Sequence, residues 1–211
     1  MERAKLSQRD RILETARVLI RRFGGAKTNV VDIAQAMGLS HSAIYRHFRS
    51  KAEIFDALAA ATMAEETRLA EVYVESAGPA AERLTGLVLA LHRGKRQKFA
   101  EDPEMYALYR RVVDERPDLI ADYAQRMTGL VRRLLSDGVA QGEFVARDLD
   151  QAATALRDAV TVFVHPAHVE ASARAGVDQE PGLLFLMETL LRGLSRPDGP
   201  TGTRPRGSDD T

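Results

Sequence analysis

The sequence predicts an all-α protein of about nine helices, with a small N-terminal helix-turn-helix head on a larger helical body. Three observations predict it. Apolar residues recur at helical spacing along most of the chain. Capping residues, glycines and prolines punctuate that pattern at helix-length intervals. No segment shows strand alternation or the turn residues of a hairpin.

The first helix opens at Ser7-Gln8-Arg9-Asp10, a capping box in which Ser and an acid three residues on satisfy each other's backbone. Ile12, Ala16, Leu19, Ile20 and Phe23 then share one face, and Gly24-Gly25 ends the helix. A short helix over about 29–37 turns Val30, Ile33, Ala34 and Met37 inward, and Gly38 breaks it. Ser40 caps the next helix, with Leu39, Ile44 and Phe48 as anchors. Ser50-Lys51-Ala52-Glu53 is a second capping box, opening a long helix to about Ser76 that carries Ile54, Phe55, Leu58, Leu69 and Val72.

Gly78-Pro79 interrupts the chain. Helices follow over 80–99, over 103–115 with Asp102 as cap and Pro103 at the first helical position, and over 117–141 up to Gly142. Asp148 opens another through Ala159, Val162 and Phe163; Pro166 lacks a backbone donor and leaves its continuation open. The last helix is 181–194. From Ser195 the chain is Pro, Gly, Ser, Thr and Asp, a composition expected to be disordered. The expected division is therefore 1–51 for the head, 52–194 for the body and 195–211 for a disordered tail.

Composition narrows the function. With no cysteine there is no disulfide, thiolate metal site or cysteine nucleophile, which fits a cytoplasmic location. The charged start, Met1-Glu2-Arg3-Ala4-Lys5, is unlike a signal peptide, and the uncharged run from Ala159 is too short to span a bilayer, so no membrane partner is expected. The formal net charge is zero but unevenly spread. Up to Lys51 eleven lysines and arginines face four carboxylates, a head of +7 on a body of −7. That asymmetry suggests that the head meets a polyanion.

Residues 28–51 carry the function. Two short helices flank the tight turn Met37-Gly38-Leu39-Ser40, which lets the second helix lie in a major groove. Ser42, Tyr45, Arg46 and Arg49 lie on its outward side with His41 and His47 nearby, donors and rings suited to phosphates and base edges. Thr28, Asn29 and Lys51 stand at helix N-termini, where free amides favour a phosphate.

The run Asp32-Ile33-Ala34, Gly38-Leu39-Ser40, Ile44-Tyr45-Arg46-His47-Phe48, Ser50-Lys51 and Ile54-Phe55 resembles the tetracycline-repressor (TetR) family signature over about residues 8–58. The resemblance implies a homodimer joined through the last two large helices, binding to double-stranded palindromic operator DNA, and release by a small-molecule inducer. It implies phosphate contacts for Thr28, Tyr45, His47 and Lys51, and operator-reading positions for Ser40, His41, Ser42 and Arg46. Where many members have Gly-Thr before the Ile/Leu-Tyr pair, this chain has Ser42-Ala43, which weakens the contact assigned to Ser42.

In the body His92, Phe99, Met105, Tyr106, Tyr109, Tyr123, Met127, Phe163 and His165 are candidates to line a ligand pocket between helices, with core packing as the alternative for each. His165 and His168 are three apart, but no third ligand is evident and no metal or other cofactor is expected. An enzyme in the body, using His92 or His165 with a carboxylate, lacks a nucleophile elbow or a Gly-rich phosphate loop, so no catalytic residue is expected. Activation of transcription remains an alternative to repression.

Overall fold

The computed structural model describes residues 7–195, which hold ten helices and no strand. The head consists of α1 (Gln8–Phe23), α2 (Val30–Ala36), α3 (His41–Tyr45) and the start of α4 (Lys51–Glu75). Ile12, Ala16, Ile20, Ile33, Ile44, Phe48, Ile54 and Leu58 form its core. Ser7 and Asp10 make the expected reciprocal capping box. At the second box the Ser50 hydroxyl accepts from the Glu53 N–H at 3.1 Å, while the Glu53 carboxylate takes the Arg49 N–H at 2.6 Å, one residue earlier than expected.

The body adds α5 (Ala80–Glu101), α6 (Pro103–Glu115), α7 (Pro117–Ala140), α8 (Leu149–Val164), α9 (Pro166–Arg174) and α10 (Glu180–Leu194). Leu84, Leu87, Leu134, Leu135, Leu156 and Met187 are among its core residues. Gly138 on α7 lets Phe144 fold back against the helix, since a Cβ there would run into the Phe144 ring. The two cores are joined. Leu108, Tyr109 and Val112 on α6 pack into the head cluster, and α4 serves both clusters, with Leu58 and Met63 in one and Ala70 and Val74 in the other. A boundary at Lys51 thus falls at the start of a helix that is half head and half body.

Several expectations change. The run past Pro166, whose continuation the sequence leaves open, forms a helix of its own, α9. His165 leaves the helical region (φ −75°, ψ 131°) as a residue before proline tends to do, and its Nδ1 caps α9 by accepting the Ala167 N–H at 3.3 Å. Phe23 lies on the apolar face of α1 but one turn beyond Ile20, its last buried residue, and is half exposed under the Arg22 guanidinium. Val72 points outward, because the buried stripe of α4 runs through Met63, Glu66, Ala70 and Val74. Asp102 does not cap α6 with its side chain; its carboxylate pairs with Arg21 on α1 at 2.6 Å, tying head to body. The Val145 N–H donates to the Leu194 carbonyl, and Phe144 and Ser195 form an isolated bridge, so Ser195 belongs to the body. The remainder of the tail predicted to be disordered, 196–211, lies outside the described residues.

Candidate nucleic-acid interface and body cavity

The turn between α2 and α3 is built by backbone. Gly38 adopts φ 64°, and the Leu39 N–H reaches back to the Ala34 carbonyl at 2.9 Å. Ala34 is buried where the helices approach. Ser40 caps α3 by accepting the Ala43 N–H at 3.3 Å, and its hydroxyl lies 3.0 Å from that of Ser42. Ile44 and Phe48 are buried behind α3, with the Arg9 guanidinium over the Phe48 ring. Buried anchors on one side leave Ser40, His41, Ser42, Tyr45, Arg46 and Arg49 exposed on the other, with His47 half-buried. The His41 and Tyr45 rings meet edge-on at 4.6 Å and so present one ordered surface.

Three other candidates differ. Asn29 is exposed at the N-terminus of α2, where its N–H donates to Asp32 at 2.7 Å. Thr28 is only 2% exposed, and its hydroxyl donates to the Gly24 carbonyl at 2.9 Å, so it braces the loop from inside instead of facing solvent. The Lys51 ammonium donates to the Ala26 carbonyl at 3.1 Å. Burial, and then Arg111 nearby, lower its pKa from the ordinary lysine value. One of its three donors is therefore committed to holding the α1–α2 loop against α4.

Two recesses open in the body. A polar cleft of about 530 Å³ lies between α1, α4, α5 and α6, and Arg17, Arg21, Glu66, Lys95 and Asp102 help to line it. An apolar cavity of about 210 Å³ lies between α5, α6, α7 and α8. Lys95 and Tyr109 line both. Between them sits a buried cluster: the Lys95 ammonium lies 2.5 Å from one Glu66 oxygen, and the Tyr123 hydroxyl donates to the other at 2.6 Å. Burial, and then the Glu66 charge, push the Tyr109 and Tyr123 phenols well above their usual range, so both stay protonated.

Of the predicted pocket residues, Tyr109, Tyr123, Met127 and His165 line the apolar cavity, while Met105 and Tyr106 line the polar cleft. His92, Phe99 and Phe163 line neither. His92 is fully buried, with Nδ1 2.8 Å from the Phe163 carbonyl and Nε2 without a partner. Phe99 packs edge-on against Tyr106, and Phe163 packs against the body core. Sequence reading missed Glu66 and Lys95, since charged residues on amphipathic helices read as solvated surface. It also missed the aliphatic wall, including Leu91, Ile120 and Val160, whose spacing is that of ordinary core. Among the described residues no group of three His, Cys, Asp or Glu side chains gathers to hold a metal, and no helix is long and apolar enough to cross a membrane.

A helix-turn-helix displayed on a helical body with an apolar recess between its helices defines a DNA-binding transcription regulator. Residues 12–58 match the model of bacterial regulatory proteins of the tetR family, and residues 80–184 match a tetracycline-repressor-like C-terminal domain. The chain belongs to the TetR family. Its fold is similar to that of a TetR-family transcriptional regulator from Pectobacterium atrosepticum (TM-score 0.67, 23% identity, 89% of this chain and 93% of that one). It is also similar to the fatty acid degradation regulator FadR from Bacillus halodurans (TM-score 0.63, 20% identity, 90% and 97%). A third likeness is to the ketosteroid transcriptional regulator of Mycobacterium tuberculosis (TM-score 0.52, 23% identity, 92% and 97%). The comparison with curated proteins finds no match.

Proposed function

We propose that the protein is a homodimeric repressor that leaves a palindromic operator when a small molecule enters the body. One observation carries the reading: the ordered, exposed set Ser40, His41, Ser42, Tyr45 and Arg46 on and beside α3, backed by buried Ile44 and Phe48. In a major groove Ser40, His41, Ser42 and Arg46 reach base edges, while Asn29, Tyr45, His47 and the two remaining Lys51 donors reach phosphates. Thr28 contributes by bracing the loop that holds Asn29.

The dimer forms through α8 and α10. Val162, Leu184 and Phe185 are large apolar side chains exposed on these helices, and Phe185 is 72% exposed. A two-fold interface there sets two α3 helices about 34–36 Å apart, one turn of DNA. The ligand acts through α4, which carries residues of both cores, and through α6, a body helix packed into the head core. A shift of these helices changes the spacing of the heads, and a coupling of about 1–3 kcal/mol makes a useful switch.

Binding to the DNA flanking the gene, followed by fluorescence anisotropy against salt, tests the head. Wild type binds at low salt and loses about three to five orders of magnitude in affinity between about 50 and 200 mM salt if six to ten phosphates are contacted. Tyr45→Ala binds more weakly at every salt concentration, with unchanged thermal stability because Tyr45 is exposed. Indifference to both salt and Tyr45 would sink the reading. A promoter fusion whose output rises when the protein is supplied would replace repression by activation.

For the dimer, Phe185→Glu is expected to sediment as a monomer at micromolar concentration and to lose cooperative operator binding. An unchanged dimer would place the interface elsewhere.

A further inference from the structure

We propose that the apolar cavity takes an uncharged, largely apolar molecule of roughly eight to ten non-hydrogen atoms that carries one hydrogen-bond acceptor. This deepens the functional reading above and rests on it for the cavity's role as the ligand site.

Size comes first. A closed apolar cavity of about 150 Å³ takes benzene. This recess is partly open to solvent, and within its walls the 210 Å³ or so has room for a single ring with a short substituent, or an aliphatic chain of similar bulk. Its wall is mostly aliphatic, with Leu87, Leu91, Ile120, Val131 and Val160 among the lining residues.

Charge comes second. Two formally charged side chains line the cavity, and both are matched. Lys95 and Glu66, 4% and 7% exposed, neutralise each other at 2.5 Å. Arg157 holds Asp158 through Nε and Nη2 at 2.9 and 2.6 Å, and its Nη1 donates to the Thr128 hydroxyl at 3.0 Å. Each of these cations already holds a carboxylate, so a carboxylate ligand would have to compete with Glu66 or Asp158 for it, and an ammonium would meet two cations. Burying an unpaired ion is costly, so the wall selects a neutral molecule.

The polar end comes third. The Nδ1 of His165 is occupied as acceptor of the Ala167 N–H, which leaves the ring proton on Nε2. Burial, and then the neighbouring His168, lower the His165 pKa, so the ring is neutral and offers one donor. Tyr109 also lines the cavity with its phenol protonated. The Lys95 ammonium lies 5.8 Å from the Tyr109 ring and is near enough to His165 to disfavour its protonation. Donors therefore gather at this end of an otherwise apolar space, and the complementary group is an acceptor such as a carbonyl or ether oxygen.

Three probes of matched shape separate these requirements: acetophenone, α-methylstyrene without the acceptor, and benzoate with a charge. Titration calorimetry on the full chain, without DNA, is expected to show acetophenone binding once per chain. α-Methylstyrene should bind about tenfold more weakly, and benzoate should not bind. Ala124→Leu, which fills the cavity, abolishes acetophenone binding. His165→Asn keeps a cap for α9 and lowers acetophenone affinity toward that of α-methylstyrene. Benzoate binding as tightly as acetophenone, no binding by either neutral probe, or binding unaffected by Ala124→Leu would each overturn the proposal. Anisotropy on the flanking DNA is read separately. Acetophenone that binds in the calorimeter with this profile but leaves DNA affinity unchanged supports the ligand class and removes the inducer reading.

Discussion

Lys95→Met is expected to destabilise the protein by about 3–5 kcal/mol, because it strands a buried carboxylate. Glu66 sits on α4 and Lys95 on α5, both almost without solvent, and their 2.5 Å contact is the means by which either charge is tolerated there. Without the ammonium, Glu66 keeps only the Tyr123 hydroxyl. Its carboxylate is then buried at the edge of the polar cleft without a counter-charge in contact, which costs stability. For a chain of this size the loss lowers the melting temperature by about 6–20 °C. The loss is a property of the broken pair and not of the missing charge. Glu66→Leu combined with Lys95→Met, which replaces both partners by apolar groups of similar bulk, should therefore recover most of it. Thermal and urea unfolding at one fixed protein concentration measure both variants, since dimerisation would otherwise shift the midpoint. A single variant within about 1 kcal/mol of wild type would show that water reaches the pair, as it does for exposed ion pairs.

Phe48→Ala is expected to abolish operator binding although the side chain is turned away from the exposed face of α3. Phe48 is 1% exposed, behind α3 and under Arg9, in a core shared by α1, α2 and α4. Emptying that space costs about 3–5 kcal/mol, a large share of what so small a core can supply. Because α3 has only five residues, its position depends on packing rather than on its own hydrogen bonds. The comparison with Tyr45→Ala separates support from contact. Tyr45→Ala weakens DNA binding at unchanged stability, whereas Phe48→Ala should lose both. Phe48→Leu, which keeps most of the apolar volume, should retain binding with a smaller loss of stability. Circular dichroism on heating and anisotropy on the same samples give the two readouts. Full DNA affinity in Phe48→Ala would mean that α3 is held by its neighbours without this anchor.

The sequence by itself determined the helical class, most helix boundaries and which side chains of α3 face outward. Those features are local. Capping at Ser7, Ser40 and Asp148, the glycines at 24, 38 and 142, and the four-residue spacing of Ile12, Ala16 and Ile20 act over one or two turns and so leave a periodic trace. His41, Tyr45 and Arg46 follow from the same trace, since anchors at Ile44 and Phe48 dictate which side of a short helix faces out. The tertiary structure alone decided what happens where helices from distant parts of the chain meet. Asp102 looks like a cap but is taken by Arg21, eighty-one residues away. Thr28 looks like a phosphate contact but is closed over by the loop it braces. Glu66, Lys95 and Tyr123 come from three helices, and each alone reads as surface or core. The walls of the cavity were hidden for the same reason. An aliphatic residue beside a cavity has the same spacing as one in a filled core, and only the packing of α5 to α8 leaves space between them.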